Sequence, residues 1–204
     1  MKKSLFFTLL PAAILLASCG PILEPQPDTA HYYHLSENVL PPIPPASPLP
    51  DLALSVPRLR LPAYLDRSEI VHRADNRLLI DNNNLWLEPL GQAATRIFAS
   101  RIAGRLGTEK LALAPTLDIY DDALQINIQL LQFDGPASGN FSLHAYWNVA
   151  TTDTGTPLLS GEEQIILAPS QSSYPAYVDT MTLSLDQLAE RIAGQIRGKL
   201  SGEK

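Results

Sequence analysis

Phe141, Leu143, Ala145, Trp147 and Val149 alternate with Ser142, His144, Tyr146 and Asn148. Leu124, Ile126, Ile128 and Leu130 alternate in the same way with Gln125, Asn127 and Gln129. A period of two puts the apolar side chains of each run on one face, so both predict half-buried strands. Leu111–Ala114 and Leu158–Leu167 read as two more strands. Turns at "DGPASGN" and "TDTGTP" join the set into an antiparallel meander. Upstream, Leu52, Leu54 and Val56 alternate with Ala53 and Ser55, and Pro57 and Pro62 bound an edge or strand end at Arg58–Leu61. "RLLID" predicts a short strand and "DNNN" the turn after it.

Two stretches carry the helical period instead. From about Leu85 to Leu106, Leu90, Ala94, Ile97, Phe98, Ile102 and Leu106 recur at spacings of three and four, while Gln92, Arg96 and Ser100 face away. Asn84 is the predicted cap, Pro89 falls in the opening turns, and Gly107 ends the helix. The second helix runs from about Pro175 to Lys199, with Ser173 as cap. Its stripe is Val178, Met181, Leu185, Leu188, Ile192 and Ile196. The predicted fold is therefore α+β: a mixed, mostly antiparallel sheet with two amphipathic helices packed on one face.

The first fifty residues follow other rules. Lys2 and Lys3 precede an apolar stretch, Leu5–Leu16, interrupted by Thr8 and Pro11. A dozen residues is too short for a hydrocarbon core that needs roughly 20 as helix, but it suits the h-region of a secretory signal. Leu16-Ala17-Ser18-Cys19 closes it and is similar to a bacterial lipobox, which implies cleavage after residue 18 and acylation of Cys19. The alternative is an ordinary signal with a chance cysteine. Cys19 is the chain's only cysteine, so acylation leaves no free thiol. Gly20, rather than aspartate, follows it, which by the sorting pattern of such lipoproteins implies the outer membrane.

Residues 20 to 50 hold nine of the eighteen prolines and read as a semi-rigid tether. "HYYHLS", residues 31–36, interrupts it and predicts a first strand. Residues 51–204 then form one α+β domain. The formal charge of −6 excludes a general nucleic-acid binder and a surface seeking anionic headgroups. Membrane contact is expected through the lipid.

The densest candidate chemistry lies in "PAYLDRSEIVHR", Pro62–Arg73. Asp66, Glu69 and His72 supply acids and a base, but their spacing alternates faces on a strand, and no pocket is implied. A surface turn at Asp66–Arg67 with Ile70 and Val71 buried is the better reading. Arg58, Arg60, Arg67 and Arg73 form either a basic strip for an acidic partner or lipid phosphate, or scattered edge charge. His31 and His34 face opposite sides of a strand and lack further ligands, so no metal is expected. Asp118–Asp122 lacks the glycine and closing glutamate of a calcium loop. No phosphate-binding or hydrolase motif occurs.

With its neighbours attached, the segment resembles the signature of the ABC-type transport auxiliary lipoproteins. The matching residues are Pro62, Tyr64, Leu65, Asp66, Arg67, Ile70 and Val71, then Trp86, Glu88, Pro89 and Leu90. "YYHLS" is similar to the family's first strand, and the likeness spans the whole mature chain. The longer proline-rich gap, residues 41–50, departs from the pattern. The resemblance implies a non-enzymatic, outer-membrane lipoprotein with no cofactor beyond the lipid on Cys19. It also implies an MCE-domain partner, with or without an ABC ATPase and permease, and assembly of some members into rings. Tyr64, Leu65, Asp66, Arg67, Ile70, Trp86, Glu88 and Pro89 are then signature or partner-binding residues, with Tyr64, Trp86 and Glu88 expected to fix the loop to the helix start. The competing reading is a carrier holding an acyl chain. A carrier needs an apolar cavity of ~300 Å³ or more, an adaptor an exposed patch. The narrow helix stripes favour the adaptor.

Overall fold

The computed structural model describes residues 29–41, 43, 47–116 and 120–202. The signal segment, Cys19 and part of the Asp118–Asp122 turn lie outside them. Eight strands and two helices follow in the order β1 (His31–Tyr33), β2 (Leu54–Val56), β3 (Glu69–Ala74), β4 (Arg77–Trp86), α1 (Leu90–Leu106), β5 (Leu111–Leu113), β6 (Leu124–Asp134), β7 (Phe141–Thr151), β8 (Pro157–Leu167) and α2 (Tyr174–Leu200). The α+β class is as expected, but the strands divide between two sheets: β1-β4-β3 and β5-β2-β6-β7-β8.

The large sheet keeps the predicted meander only in β6, β7 and β8, which pair antiparallel with Leu130 opposite Ala145 and Trp147 opposite Gly161. β5 leaves it and pairs in parallel with β2, which also runs parallel to β6. Flanked on both sides, Leu54, Ser55 and Val56 are all buried, so this strand is buried on both faces rather than half-buried. The alternating apolar residues of β6 and β7 face the helices, and the α2 stripe from Val178 to Ile196 closes over them.

The small sheet contains the largest departure from the predicted elements. "DNNN" is no turn: β4 runs unbroken through Asp81–Asn84 to Trp86. Parallel β1 holds one side, His31 to Asn84 and Tyr33 to Trp86, and β3 holds the other. Two ladders of backbone hydrogen bonds override the turn preference of Asn and Asp. The helix consequently starts at Leu90 with Pro89 at its cap, not at Leu85 with Asn84. Its left-handed Gly107 terminus and the Ser173 cap of α2 are as predicted.

The proline-rich segment before β2 lies along α1. Leu35 is fully buried, its carbonyl accepts from Arg96, Ser100 donates to Glu37, and the Leu49 amide reaches the Leu106 carbonyl. The flank of α1 expected to face water at Arg96 and Ser100 is therefore partly covered. Arg101 ties three pieces together: Nε reaches Asp186 of α2 at 2.6 Å, and Nη2 the Pro41 carbonyl at 2.8 Å. Arg105 shares the same Asp186 oxygen at 2.7 Å.

Candidate functional site: the signature segment

Pro62 fixes an extended backbone angle that leads into one tight turn, Ala63–Leu65, closed by the Leu65 amide on the Pro62 carbonyl. Leu65 enters the core, while Tyr64 turns away from the helix start and donates to Asp134 Oδ2 at 2.5 Å. Asp134 ends β6 and is fully buried. Arg73, at the far end of the segment, forks onto the same carboxylate, with Nε to Oδ1 at 2.8 Å and Nη2 to Oδ2 at 3.0 Å. Gln132 adds a further donor at 3.1 Å. Both ends of Pro62–Arg73 are thus fastened to one carboxylate of the other sheet.

The electrostatics follow from that geometry. Burial pushes the Asp134 carboxyl upward, but donation from Arg73, Tyr64 and Gln132 outweighs it and holds the pKa below the ordinary range. Burial and the bond to Asp134 raise the Tyr64 phenol, and the same carboxylate raises the Arg73 guanidinium. A bidentate charge-assisted pair of this kind fixes orientation as well as energy.

Backbone and aromatic contacts complete the fastening. The Arg73 amide donates to the Gly135 carbonyl at 2.8 Å. Gly135 must be glycine, because a Cβ there would come within 2.5 Å of the Asn140 carbonyl oxygen. The Tyr177 hydroxyl of α2 accepts from the Gly135 amide at 3.1 Å and donates to the Val71 carbonyl at 3.4 Å. Beneath it, Phe141 stacks edge-on to both Phe133 and Tyr177, with ring centres 5.2 and 5.6 Å away.

The middle of the segment is different. Ile70 and Val71 are buried as predicted, and Asp66 and Arg67 form a surface turn. Asp66 lies 4.0 Å from Arg58, whereas Arg67 pairs with Glu69 at 3.0 Å. That bond, chiefly, lowers the Glu69 carboxyl to about 2. His72 meets Tyr174, 3.5 Å from Nδ1 to the hydroxyl. The three acid–base candidates therefore have three separate partners and do not converge. Arg58, Arg67 and Arg73, read either as a basic strip or as scattered edge charge, each face a different carboxylate.

Trp86 is buried, and its amide donates to the Ser68 carbonyl, so it ties the loop to the end of β4. Glu88 serves the helix through Arg96 at 2.6 Å rather than through the loop. Pro89 accepts the first amides of α1. Sequence reasoning missed Asp134 and Thr95; the Thr95 hydroxyl accepts the Leu59 amide at 2.9 Å. A carboxylate interrupting the apolar end of β6 was the available sign of the first. Beside Thr95 lies a cleft of about 440 Å³ lined by Arg58, Gln92, Thr95, Arg96, Leu113, Ala114 and Pro115. Four of its seven lining side chains are polar or charged, although apolar atoms make up most of its open surface. His31 and His34 are exposed, and no cluster of metal-ligating side chains occurs among the described residues.

Residues 33–193 match the family described as "ABC-type transport auxiliary lipoprotein component". The chain belongs to this family. The match begins in β1, takes in the whole fastened segment and ends within α2. Among curated relatives, the chain is 25% identical over 152 residues to "Intermembrane transport lipoprotein PqiC" of Escherichia coli (strain K12), covering 71% of this chain and 74% of that protein. The PqiC of Shigella flexneri gives the same values. Among solved structures, XCC0632 from Xanthomonas campestris superposes with a TM-score of 0.68 at 15% identity, over 86% of this chain and all of that one. An uncharacterized protein gives 0.65 at 22% identity, over 81% and 97%. These two likenesses show the fold. The family is one of transport auxiliary components, and no helix among the described residues is long and apolar enough to cross a membrane.

Proposed function

We propose that the chain is a non-enzymatic adaptor lipoprotein, acylated at Cys19 and held on the periplasmic face of the outer membrane. It docks an MCE-domain protein of an intermembrane lipid transport system, with or without an ABC ATPase and permease, and so supports envelope integrity. Membership of the transport auxiliary family and likeness to a protein named for intermembrane transport support the system. The observation that carries the adaptor reading is the division of labour in the signature segment. Tyr64 and Arg73 are spent on Asp134, while Asp66, Glu69 and His72 have separate partners. Such a segment holds a shape and leaves no acid–base pair free for turnover.

A photocrosslinking residue at position 67, in cells expressing the full chain, tests the docking. Capture of an MCE-domain protein is the expected result; failure to capture any MCE-domain protein or transporter subunit counts against it. Labelling with a palmitate analogue tests the anchor, and Cys19→Ser should abolish both label and membrane retention.

A further inference from the structure

The face of the large sheet opposite the helices carries a groove, and the register sends two rows of side chains to it. Arg60, Gln129, Tyr146 and Glu162 stand side by side on four neighbouring segments. At ~4.8 Å between strands, that row is about 14 Å long. Two residues along, about 7 Å away, Asn127, Asn148 and Ser160 make the second row. Together they line a groove of about 740 Å³, within the roughly 300–1,000 Å³ of small-molecule sites.

The polar groups of this groove are oriented but only partly used. Gln125 donates to Asn127 at 2.9 Å and Asn127 to Asn148 at 3.1 Å, which fixes the amide planes. Glu162 meets His144 Nε2 at 2.5 Å and accepts from the Tyr146 hydroxyl. The Arg60 guanidinium, the Gln129 amide and the Ser160 hydroxyl have no side-chain partner among the described residues. Tyr146 stands between the rows' ends, 48% exposed.

The same geometry narrows the occupant. Ile128 and Trp147 also line the groove but are buried, so no aliphatic side chain rises from its floor to anchor an acyl chain. Strands β6 and β7 are flanked on both sides, so no edge is open there for an added peptide strand. Apolar atoms make up most of the open surface, and fixed polar groups rim it. A pyranose ring has the matching make-up, with C–H faces and a rim of oxygens. Carboxamide side chains pair with acetamido groups through complementary N–H and C=O. The unpaired guanidinium adds a place for a carboxylate.

We infer that this groove binds an acetamido-bearing, carboxylate-bearing glycan. A sugar C–H face lies on the Tyr146 ring, acetamido and hydroxyl groups meet Gln129, Asn148 and Ser160, and a carboxylate meets Arg60. The occupant is the cell-wall glycan, the polysaccharide that faces the periplasm. This rests on the periplasmic placement proposed above and goes beyond it: the lipid holds the chain to the membrane, and the groove holds the domain to the wall.

The test uses the full acylated chain in mild detergent, sedimented with purified, protein-free sacculi and titrated with soluble muropeptides. Co-sedimentation and saturable muropeptide binding are expected. Tyr146→Ala should weaken that binding by about tenfold, and Arg60→Gln by about fivefold. Arg60→Gln should also reduce its salt dependence. Both side chains are exposed, so thermal unfolding should stay unchanged. A palmitate-labelled, membrane-retained chain that binds neither probe overturns the inference and leaves the anchor reading standing. Binding that both variants leave intact lies elsewhere on the chain and overturns it too. Self-association that depends on Tyr146 and ignores muropeptides overturns it in favour of a second copy. A chain that is neither labelled nor exported overturns the anchor reading, and the inference with it.

Discussion

The two strands of the β3–β4 hairpin share one ladder yet live in different environments. On β3, Val71 is buried and Arg73 is fastened through its amide to Gly135 and through its guanidinium to Asp134. Directly across the ladder on β4, Leu78, Leu79 and Ile80 pair with Arg73, His72 and Val71 yet keep 37%, 39% and 46% of their surface open. Hydropathy alone would rank Leu79 as core and Arg73 as surface. What decides is the partner: Arg73 meets a buried carboxylate reached across 61 positions of sequence, whereas Leu79 pairs with His72 and stays 39% open. β3 holds the small sheet to the large one, and β4 carries the exposed aliphatic side chains.

Removing the shared carboxylate should break this fastening most severely. Asp134→Ala leaves Tyr64 and Arg73 without their acceptor, and we expect a loss of about 3 kcal/mol in urea unfolding. Tyr64→Phe removes one charge-assisted bond while Arg73 keeps its fork, so about 1.5 kcal/mol is expected in the same assay. Acid should act on the same group. An unfolded aspartate titrates near ~3.9, and the folded Asp134 lies below that. Its contribution is therefore full above the unfolded value and lost as pH falls through the folded one. The urea midpoint should drop from pH 6 towards pH 2.5, with a shallower drop in Asp134→Asn. On β4, Leu79→Ser should cost about 1 kcal/mol, since more than a third of its surface is already open. Arg67→Ala should cost least, ~0.5 kcal/mol or less, because its pair with Glu69 sits at the surface.

The same contrast explains what could be read in the sequence. Strands β6 and β7 and helix α2 were legible because each buries one face, and burial of one face imprints a period. Ile70 and Val71 were legible as β-branched residues inside a charged stretch. β4 was not, because Asp81–Asn84 carries turn residues whose local preference is overruled by β1 and β3 on either side. The parallel placement of β2 between β5 and β6 was hidden too, since its partners follow it by more than fifty residues. Of the site, the segment itself was recognisable, but its geometry depends on Asp134, which no local pattern links to Tyr64. The flank of α1 at Arg96 and Ser100 looked solvent-facing for a related reason: its cover comes from a proline-rich stretch without a period of its own.

The central claim is that the signature segment is a fastening between the two sheets. Native-state hydrogen exchange in wild type and Asp134→Ala tests it most directly. The Arg73 amide, bonded to Gly135, and the Trp86 amide, bonded to Ser68, should be well protected in wild type. Both should lose protection selectively in the variant, while amides paired within β6 and β7 keep theirs relative to global unfolding. Unchanged protection of Arg73 and Trp86 in Asp134→Ala would contradict the account.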